Sequence, residues 1–260
     1  MHQPFFSIIT CTYNSEQYLP QCIHSVKSQQ FTDYEHIIVD AFSSDSTPAL
    51  LETYAREDIR VRLIKAEPKG IANAMNKGIE ASRGQVLQHL HSDDYFHSNQ
   101  TLSLVHEAFL SHPGKSLLIG LSSRDVDGTL RSGILPSSTF QRRKRLLRYL
   151  IYVHCYIAHP STFIRKRVFD RHGLFREDFP IAMDYEFWLR ILGKEPYLMI
   201  NRELTTFREH SAAASADHER NMVDEQRARQ LHSAGFRPFL ARILFSKAVA
   251  LREKQNEKKG

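Results

Sequence analysis

The chain opens with short apolar runs separated by amphipathic stretches, and their lengths set the expected elements. Phe5 to Cys11 is an apolar run bounded by polar residues, the form of a buried strand. Tyr18 to Gln29 carries Leu19, Cys22, Ile23 and Val26 at helical spacing. Tyr34 to Val39 predicts a second strand, ended by Asp40 and the turn-rich Ser43-Ser44-Asp45-Ser46. Thr47-Pro48 then predicts a helix start, because proline is accepted in the first turn. Arg60 to Lys65 predicts a third strand, Gly70 to Ser82 a helix stopped by Gly84, and Val86 to Leu90 a fourth strand. This alternation predicts an α/β fold with a mixed, mainly parallel sheet flanked by helices on both faces. The strand C-termini then gather Thr12, Tyr13, Asn14, Asp40, Asp93 and Asp94. In an open α/β sheet that is the edge where ligands bind.

The pattern loosens after residue 114. Ser116 to Leu121 predicts a further strand, Asp125-Val126-Asp127-Gly128 a hairpin turn, and His159-Pro160 a turn into a short strand. Met183 to Leu192 predicts a helix and Tyr197 to Phe207 an extended segment. The tail from Ser215 is helical and charged, divided by Gly235 and Pro238. The organisation expected is one α/β domain over 1–212 with a C-terminal helical extension over 213–260.

Composition narrows the classes. The 260 residues carry 35 Lys plus Arg against 29 Asp plus Glu, a net charge of +6, a modest excess that suits an anionic ligand. Three cysteines, an odd number without metal-type spacing, argue against a disulfide framework and for a reducing, cytoplasmic setting. No apolar run reaches the roughly 20 residues of a spanning helix, and Met1-His2-Gln3-Pro4 lacks the basic start of a secretory signal. The basic residues cluster in one stretch without interleaved stacking aromatics, so nucleic acid is not an expected partner. That stretch, 141–153, runs from Arg142, Arg143, Lys144 and Arg145 into Leu146, Leu147, Leu150 and Ile151. It reads equally as a solvated helix or as a contact with the inner face of a membrane, as does Phe239 to Leu251 near the C-terminus.

The sharpest chemical signal is His91-Ser92-Asp93-Asp94, two carboxylates just past an apolar strand. Paired carboxylates there suit a hard divalent cation, Mn²⁺ or Mg²⁺, and such a cation suits a diphosphate. The alternative is a surface turn with two solvated acids. Tyr13 offers a face for a base, and Thr12 and Asn14 offer hydrogen bonds. Asp40 can accept from a nucleobase edge or a ribose, or can simply make a turn contact; Asp45 reads as the latter. Asn73 and Lys77 lie on a helix whose N-terminus can receive an anion. Asp184 is either a helix N-cap or a general base held at a cleft. His210 ends an extended segment, where an imidazole can meet a metal or a phosphate oxygen.

In order and spacing these segments resemble the family 2 glycosyltransferases, inverting enzymes of the Rossmann-like GT-A fold. The matching pieces are Ser7 to Asn14, Ile37 to Asp40 with Ser43 to Thr47, Lys69 to Ile79, Ser92-Asp93-Asp94, Asp184 to Arg190, and Phe207 to His210, across roughly residues 5–212. The resemblance implies that Thr12, Tyr13 and Asp40 hold a nucleoside, usually uridine, with Asn14, Asn73, Lys77 and Ser92 lining the nucleotide site. It implies that Asp93 binds the metal with Asp94 beside it, that Asp184 is the catalytic base, and that His210 touches metal or diphosphate. The expected donor is a nucleotide-diphosphate sugar and the expected acceptor a hydroxyl of a glycan or lipid-linked molecule, in bacterial surface polysaccharide synthesis. Two positions depart from the family pattern: His91 replaces the first acid of Asp-x-Asp, and Ala41-Phe42 replaces a Gly-rich turn. The processive signature Gln-x-x-Arg-Trp is absent from the sequence. A sugar nucleotidyltransferase and a non-catalytic nucleotide-sugar-binding module are the rival readings.

Overall fold

The computed structural model describes residues 2–132, 150–152, 155–210, 213 and 217–232. Strands β1 (Phe6–Thr12), β2 (Tyr34–Asp40), β3 (Val61–Lys65) and β4 (Val86–His89) form the first half of the sheet. Helices α1 (Leu19–Lys27), α2 (Thr47–Glu57) and α3 (Ile71–Ala81) fall between them, as the apolar spacing predicts. The second half adds β5 (Tyr95–Phe96), α4 (Thr101–Ser111), β6 (Leu117–Val126), β7 (Thr129–Arg131), β8 (Thr162–Arg165), α5 (Arg167–His172), α6 (Met183–Ile191), β9 (Tyr197–Glu209) and α7 (His218–Leu231). A 3₁₀ turn, His159–Ser161, precedes β8.

The strand order is β3-β2-β1-β4-β8-β6-β9-β5, with β7 paired to β6. The pairs β1–β2, β2–β3, β1–β4 and β6–β9 are parallel, and they hold the long ladders. The pairs β4–β8, β6–β8, β5–β9 and β6–β7 are antiparallel. The sheet is thus the mixed, mainly parallel one expected, flanked by helices. From β1 the chain first steps outward to β2 and β3, then returns to place β4 on the other side of β1. This reversal opens a crevice at the C-terminal ends of β1 and β4, the usual place for a ligand in such sheets.

Alternation along β1 explains the two faces. Phe6 and Ile8 point to a core with Cys22 and Val26 of α1 and Val105 and Phe109 of α4. Ile9 and Cys11 point to the opposite core with Met75 and Ile79 of α3, Phe169 of α5 and Trp188 of α6. Gly78 lets α3 lie close against the sheet: a Cβ there would stand 2.3 Å from Ile9 Cγ2. The predicted hairpin turn is present, with Asp127 (φ 50°) and Gly128 (φ 80°) both left-handed, as a tight β6–β7 turn requires. Three elements go beyond the sequence expectation. Helices α4 and α5 and strand β5 were not anticipated, and β9 runs on to Glu209 because it pairs with β6 as far as Val126.

Helix α7 packs on α6 through polar bonds. Asp224 Oδ2 accepts the Ile181 N–H at 3.0 Å, Arg229 Nε donates to the Tyr185 hydroxyl at 3.0 Å, and His232 Nε2 lies 2.8 Å from Glu186 Oε1. Among the described residues no helix is long and apolar enough to cross a membrane. The basic part of segment 141–153, the division at Gly235 and Pro238, and Phe239 to Leu251 lie outside the described residues.

Candidate active site

The site assembles at the crevice between the ends of β1 and β4, and hydrogen bonds join the loops that form it. Asp40, the last residue of β2, is buried. Its Oδ1 accepts the Ser43 hydroxyl at 2.6 Å, and the Ser43 N–H lies 3.3 Å from both carboxylate oxygens. Ser43 in turn accepts the Asn14 N–H at 2.8 Å, and Asn14 Oδ1 accepts the Ser44 N–H at 2.8 Å. Asn14 holds a left-handed backbone (φ 47°), a conformation asparagine tolerates better than most residues. The β1 and β2 loops are therefore fixed to each other. Ser15 Oγ lies 2.8 Å from Ser92 Oγ, which ties the same loop to the end of β4. Asp45 caps its own turn, accepting the Thr47 N–H at 2.9 Å and the Glu16 N–H at 3.1 Å, the structural role expected for it.

Two aromatic rings stand open at this edge, Tyr13 (59% exposed) and Phe42 (51%). Phe42 has φ 58°, an uncommon state for a bulky residue. Buried Thr12 keeps its hydroxyl without a protein partner. A buried carboxylate, an unpaired hydroxyl and two exposed rings form a set suited to a nucleoside.

At the end of β4, Asp93 Oδ2 lies 3.0 Å from His210 Nε2. His210 sits just past β9 and packs against Tyr18 at 4.7 Å. Asp94 is buried; one oxygen accepts the Arg208 N–H at 3.1 Å and the other has no partner. Burial first, and the charge of Asp93 second, hold the Asp94 carboxyl well above the ordinary carboxylate range. The Arg208 guanidinium lies over Tyr18 (4.6 Å) and Tyr95 (5.5 Å) and 3.8 Å from Asp125. Among the described residues no group of three or more His, Cys, Asp or Glu side chains is gathered as a metal site, and Asp93 with His210 is the pair left to offer ligands to a divalent cation. Mg²⁺-type sites take one or two protein carboxylates and complete the shell with water and substrate phosphates. Asp93 and His210 would hold it, with Asp94 beneath.

Asp184 is the second residue of α6, whose N-cap is Ala182, so Asp184 is not the cap. Its Oδ1 accepts the Tyr185 N–H at 2.7 Å. Its side chain keeps 27% of its surface open, the access an incoming hydroxyl needs. Dense surroundings nevertheless push its carboxyl up to about 6, against the lowering effect of the Tyr185 N–H. A base with a pKa near the working pH is effective in proton transfer. The next acid, Glu186, is buried and held by Arg190 (2.6 Å) and His232, so it anchors the helix.

Between Asp184 and the β4 loop lies His159. Its Nδ1 is 3.7 Å from Asp184 Oδ2, and its ring stacks on His91 at 5.9 Å. A run of contacts thus connects Asp40, Asp93 and Asp184 across three separate parts of the chain. Asn73 donates to Glu177 Oε2 at 3.0 Å and exposed Lys77 lies 3.4 Å from Glu80, so in this state both are engaged with carboxylates. Sequence reasoning missed Ser15, Ser43, His159 and Arg208. Ser43 and Arg208 lay inside quoted motifs, while nothing in sequence linked His159 to Asp184.

Comparison with known proteins supports the family and the fold. The family model described as glycosyl transferase family 2 matches residues 7–173. The uncharacterized glycosyltransferase EpsJ of Bacillus subtilis is 27% identical over 237 residues, covering 87% of this chain and 67% of EpsJ. TuaG of the same organism, a putative teichuronic acid biosynthesis glycosyltransferase, is 38% identical over 93 residues, 35% of this chain and 37% of TuaG. Other curated relatives are matched over as little as 16% of their length. The crystal structure of S. aureus TarS 1-349 with UDP-GlcNAc superposes with a TM-score of 0.66 at 20% identity, over 82% of this chain and 60% of that one. That likeness shows the shared GT-A fold. With a family model spanning most of its length, the chain belongs to glycosyl transferase family 2.

Proposed function

We propose that this protein transfers a sugar, with inversion, from a nucleotide-diphosphate sugar to a hydroxyl of a glycan or lipid-linked acceptor. The observation that carries the reading is the placement of Asp184, partly exposed and raised to about 6 by burial, one imidazole away from the loop of Asp93 and Asp94. The acceptor oxygen forms its bond to the anomeric carbon on the face opposite the nucleotide. The bond from that carbon to the diphosphate oxygen breaks, its electron pair leaves with the diphosphate, and the hydroxyl proton passes to Asp184. A positioned base contributes roughly 10²–10⁴-fold. Asp93 and His210 would hold a divalent cation, which when bound would offset the charge growing on the leaving diphosphate, worth several kcal/mol.

Thr12, Asp40 and the Tyr13 and Phe42 rings receive the nucleoside, with Asn14 and Ser92 bracing the loops around it. UDP is the nucleotide favoured by the family resemblance and by the TarS complex. Asn73 and Lys77 serve the phosphate side only if the Glu177 and Glu80 contacts open. The catalytic domain is read as residues 1–212, a boundary a few residues beyond the end of β9 at Glu209. The name of TuaG supports a place in bacterial surface polysaccharide synthesis, on the cytoplasmic side where nucleotide sugars are made.

Product analysis tests the reaction type. Incubation with a panel of UDP- and GDP-sugars and Mn²⁺ is expected to release nucleoside diphosphate and a sugar product of inverted anomeric configuration. Pyrophosphate release would indicate nucleotidyl transfer instead. Binding of every nucleotide sugar without any turnover would indicate a binding module.

A further inference from the structure

His159 is enclosed by His89 (5.3 Å between rings), Phe175 (5.7 Å), Trp188 (5.7 Å) and His91. Its side chain is only 10% exposed, and neither ring nitrogen has a hydrogen-bond partner. An imidazole must carry at least one N–H, and leaving a buried donor unmet costs about 1–3 kcal/mol. One acceptor stands close by: Asp184 Oδ2, 3.7 Å from Nδ1, just beyond bonding range. Catalytic hydrogen bonds are often long in a ligand-free enzyme and tighten once substrate is bound. Oδ1 of Asp184 is already held by its own helix, so Oδ2 is the oxygen still free to take a partner.

We propose that His159 is a positioning residue for the base: on loading of the site, its Nδ1–H donates to Asp184 Oδ2 and fixes the edge that the carboxylate presents to the acceptor. This rests on the reading of Asp184 as the base. A proton relay through His159 is disfavoured, because burial pushes the imidazole down to about 3 and it cannot hold the proton near neutrality. Neutrality suits positioning, since a neutral N–H orients a carboxylate without the strong loss of basicity that a cation imposes. The pairing also needs the fold. His159 stands on the 3₁₀ turn ahead of β8, and β8 inserts antiparallel between β4 and β6, which brings the turn beside His89 and His91. Among the described residues, the other titratable groups acting on Asp184 are Glu225 of α7 and Cys155 ahead of the turn. Burial pushes the Cys155 thiol far up, so it stays neutral.

The test follows the Asp184 carboxyl by ¹³C NMR in the full chain, with and without UDP and Mg²⁺, comparing wild type, His159→Phe and His159→Asn. The Phe variant keeps an aromatic ring in the cluster but has no donor, while Asn returns an N–H close to the Nδ1 position. With UDP and Mg²⁺ present, the Phe variant is expected to raise the Asp184 midpoint by about half a pH unit or more, because the charged form loses a donor. The Asn variant is expected to return most of the way to wild type, and UDP affinity is expected to hold in both. Identical midpoints in all three proteins would overturn the proposal and leave His159 as packing. Imidazole ¹⁵N spectra of wild type give an answer even if a variant does not fold: a Nδ1–H tautomer is expected, and a Nε2–H tautomer contradicts the proposal. Failure of the base assignment is separately visible, as turnover that survives Asp184→Asn while the NMR results stand.

Discussion

His210 Nε2 lies 3.0 Å from Asp93 Oδ2, although 117 positions separate the two residues in the chain. The contact exists because β9 pairs in parallel with β6 and antiparallel with β5, which ends the strand beside the loop after β4. It joins one acid and one imidazole at the place where the proposed function puts the diphosphate, and it sets the first prediction.

UDP with Mn²⁺ is expected to raise the melting temperature more than UDP alone. A ligand at 100 times its Kd stabilises by about 2.7 kcal/mol. Asp93→Asn is expected to abolish the Mn²⁺-dependent part and retain part of the response to UDP, and His210→Ala to reduce the Mn²⁺ part. Thermal shift with EDTA as control reads all of these. An unchanged Mn²⁺ increment in Asp93→Asn would place the cation elsewhere.

Phe42 gives two effects of opposite sign. Its left-handed backbone costs about 1–2 kcal/mol for a residue with a Cβ, which glycine avoids, while glycine adds entropy to the unfolded chain. Phe42→Gly is therefore expected to gain up to about 1 kcal/mol in urea unfolding. It also removes a half-exposed ring beside Asp40. Stacking of a base on an aromatic ring is worth about 1–3 kcal/mol, so UDP affinity is expected to fall about tenfold by calorimetry. A more stable variant with unchanged affinity would remove Phe42 from the nucleoside site.

The raised carboxyl of Asp184 has a consequence for stability against pH. An aspartate in the unfolded chain titrates near 4, and this one titrates at about 6 when folded, chiefly through burial. Between those values the folded state holds a proton that the unfolded state has released. Stability therefore falls as pH rises through that window and levels off above it. Asp184→Asn removes the effect. The variant is expected to melt higher than wild type at pH 8 and close to wild type at pH 4. A variant that loses stability equally at both values would contradict the raised carboxyl.

Much of this was legible in the sequence because it is local. The runs Tyr34 to Val39 and Val86 to Leu90 have strand length and apolar content, and the acids that follow them fall at or just past a strand end whatever the rest of the chain does. Asp40, Asp93 and the hairpin at Asp127-Gly128 were readable for that reason. Helix α4 carries Leu102, Val105 and Phe109 at helical spacing and was there to be found. Other features arise from pairings distant in sequence. Strand β8 enters the sheet between β4 and β6, and only that insertion brings His159 to Asp184. Histidine 91 read as a departure from an acidic motif; in the fold its ring stacks on His159 and its Nδ1 is buried without a partner. Asn73 and Lys77 sit on the helix expected for them, but their carboxylate partners Glu177 and Glu80 were not apparent from the pattern.

The most direct measurement compares Asp184→Asn with wild type for both UDP binding and sugar transfer from the nucleotide sugar that the donor panel selects. The substitution keeps the size of the side chain and removes its basicity. The UDP dissociation constant is expected to stay within about twofold, while kcat falls by roughly 10²–10⁴. Transfer at a near wild-type rate in a variant that binds UDP normally would contradict the assignment of Asp184 as the group that takes the acceptor's proton.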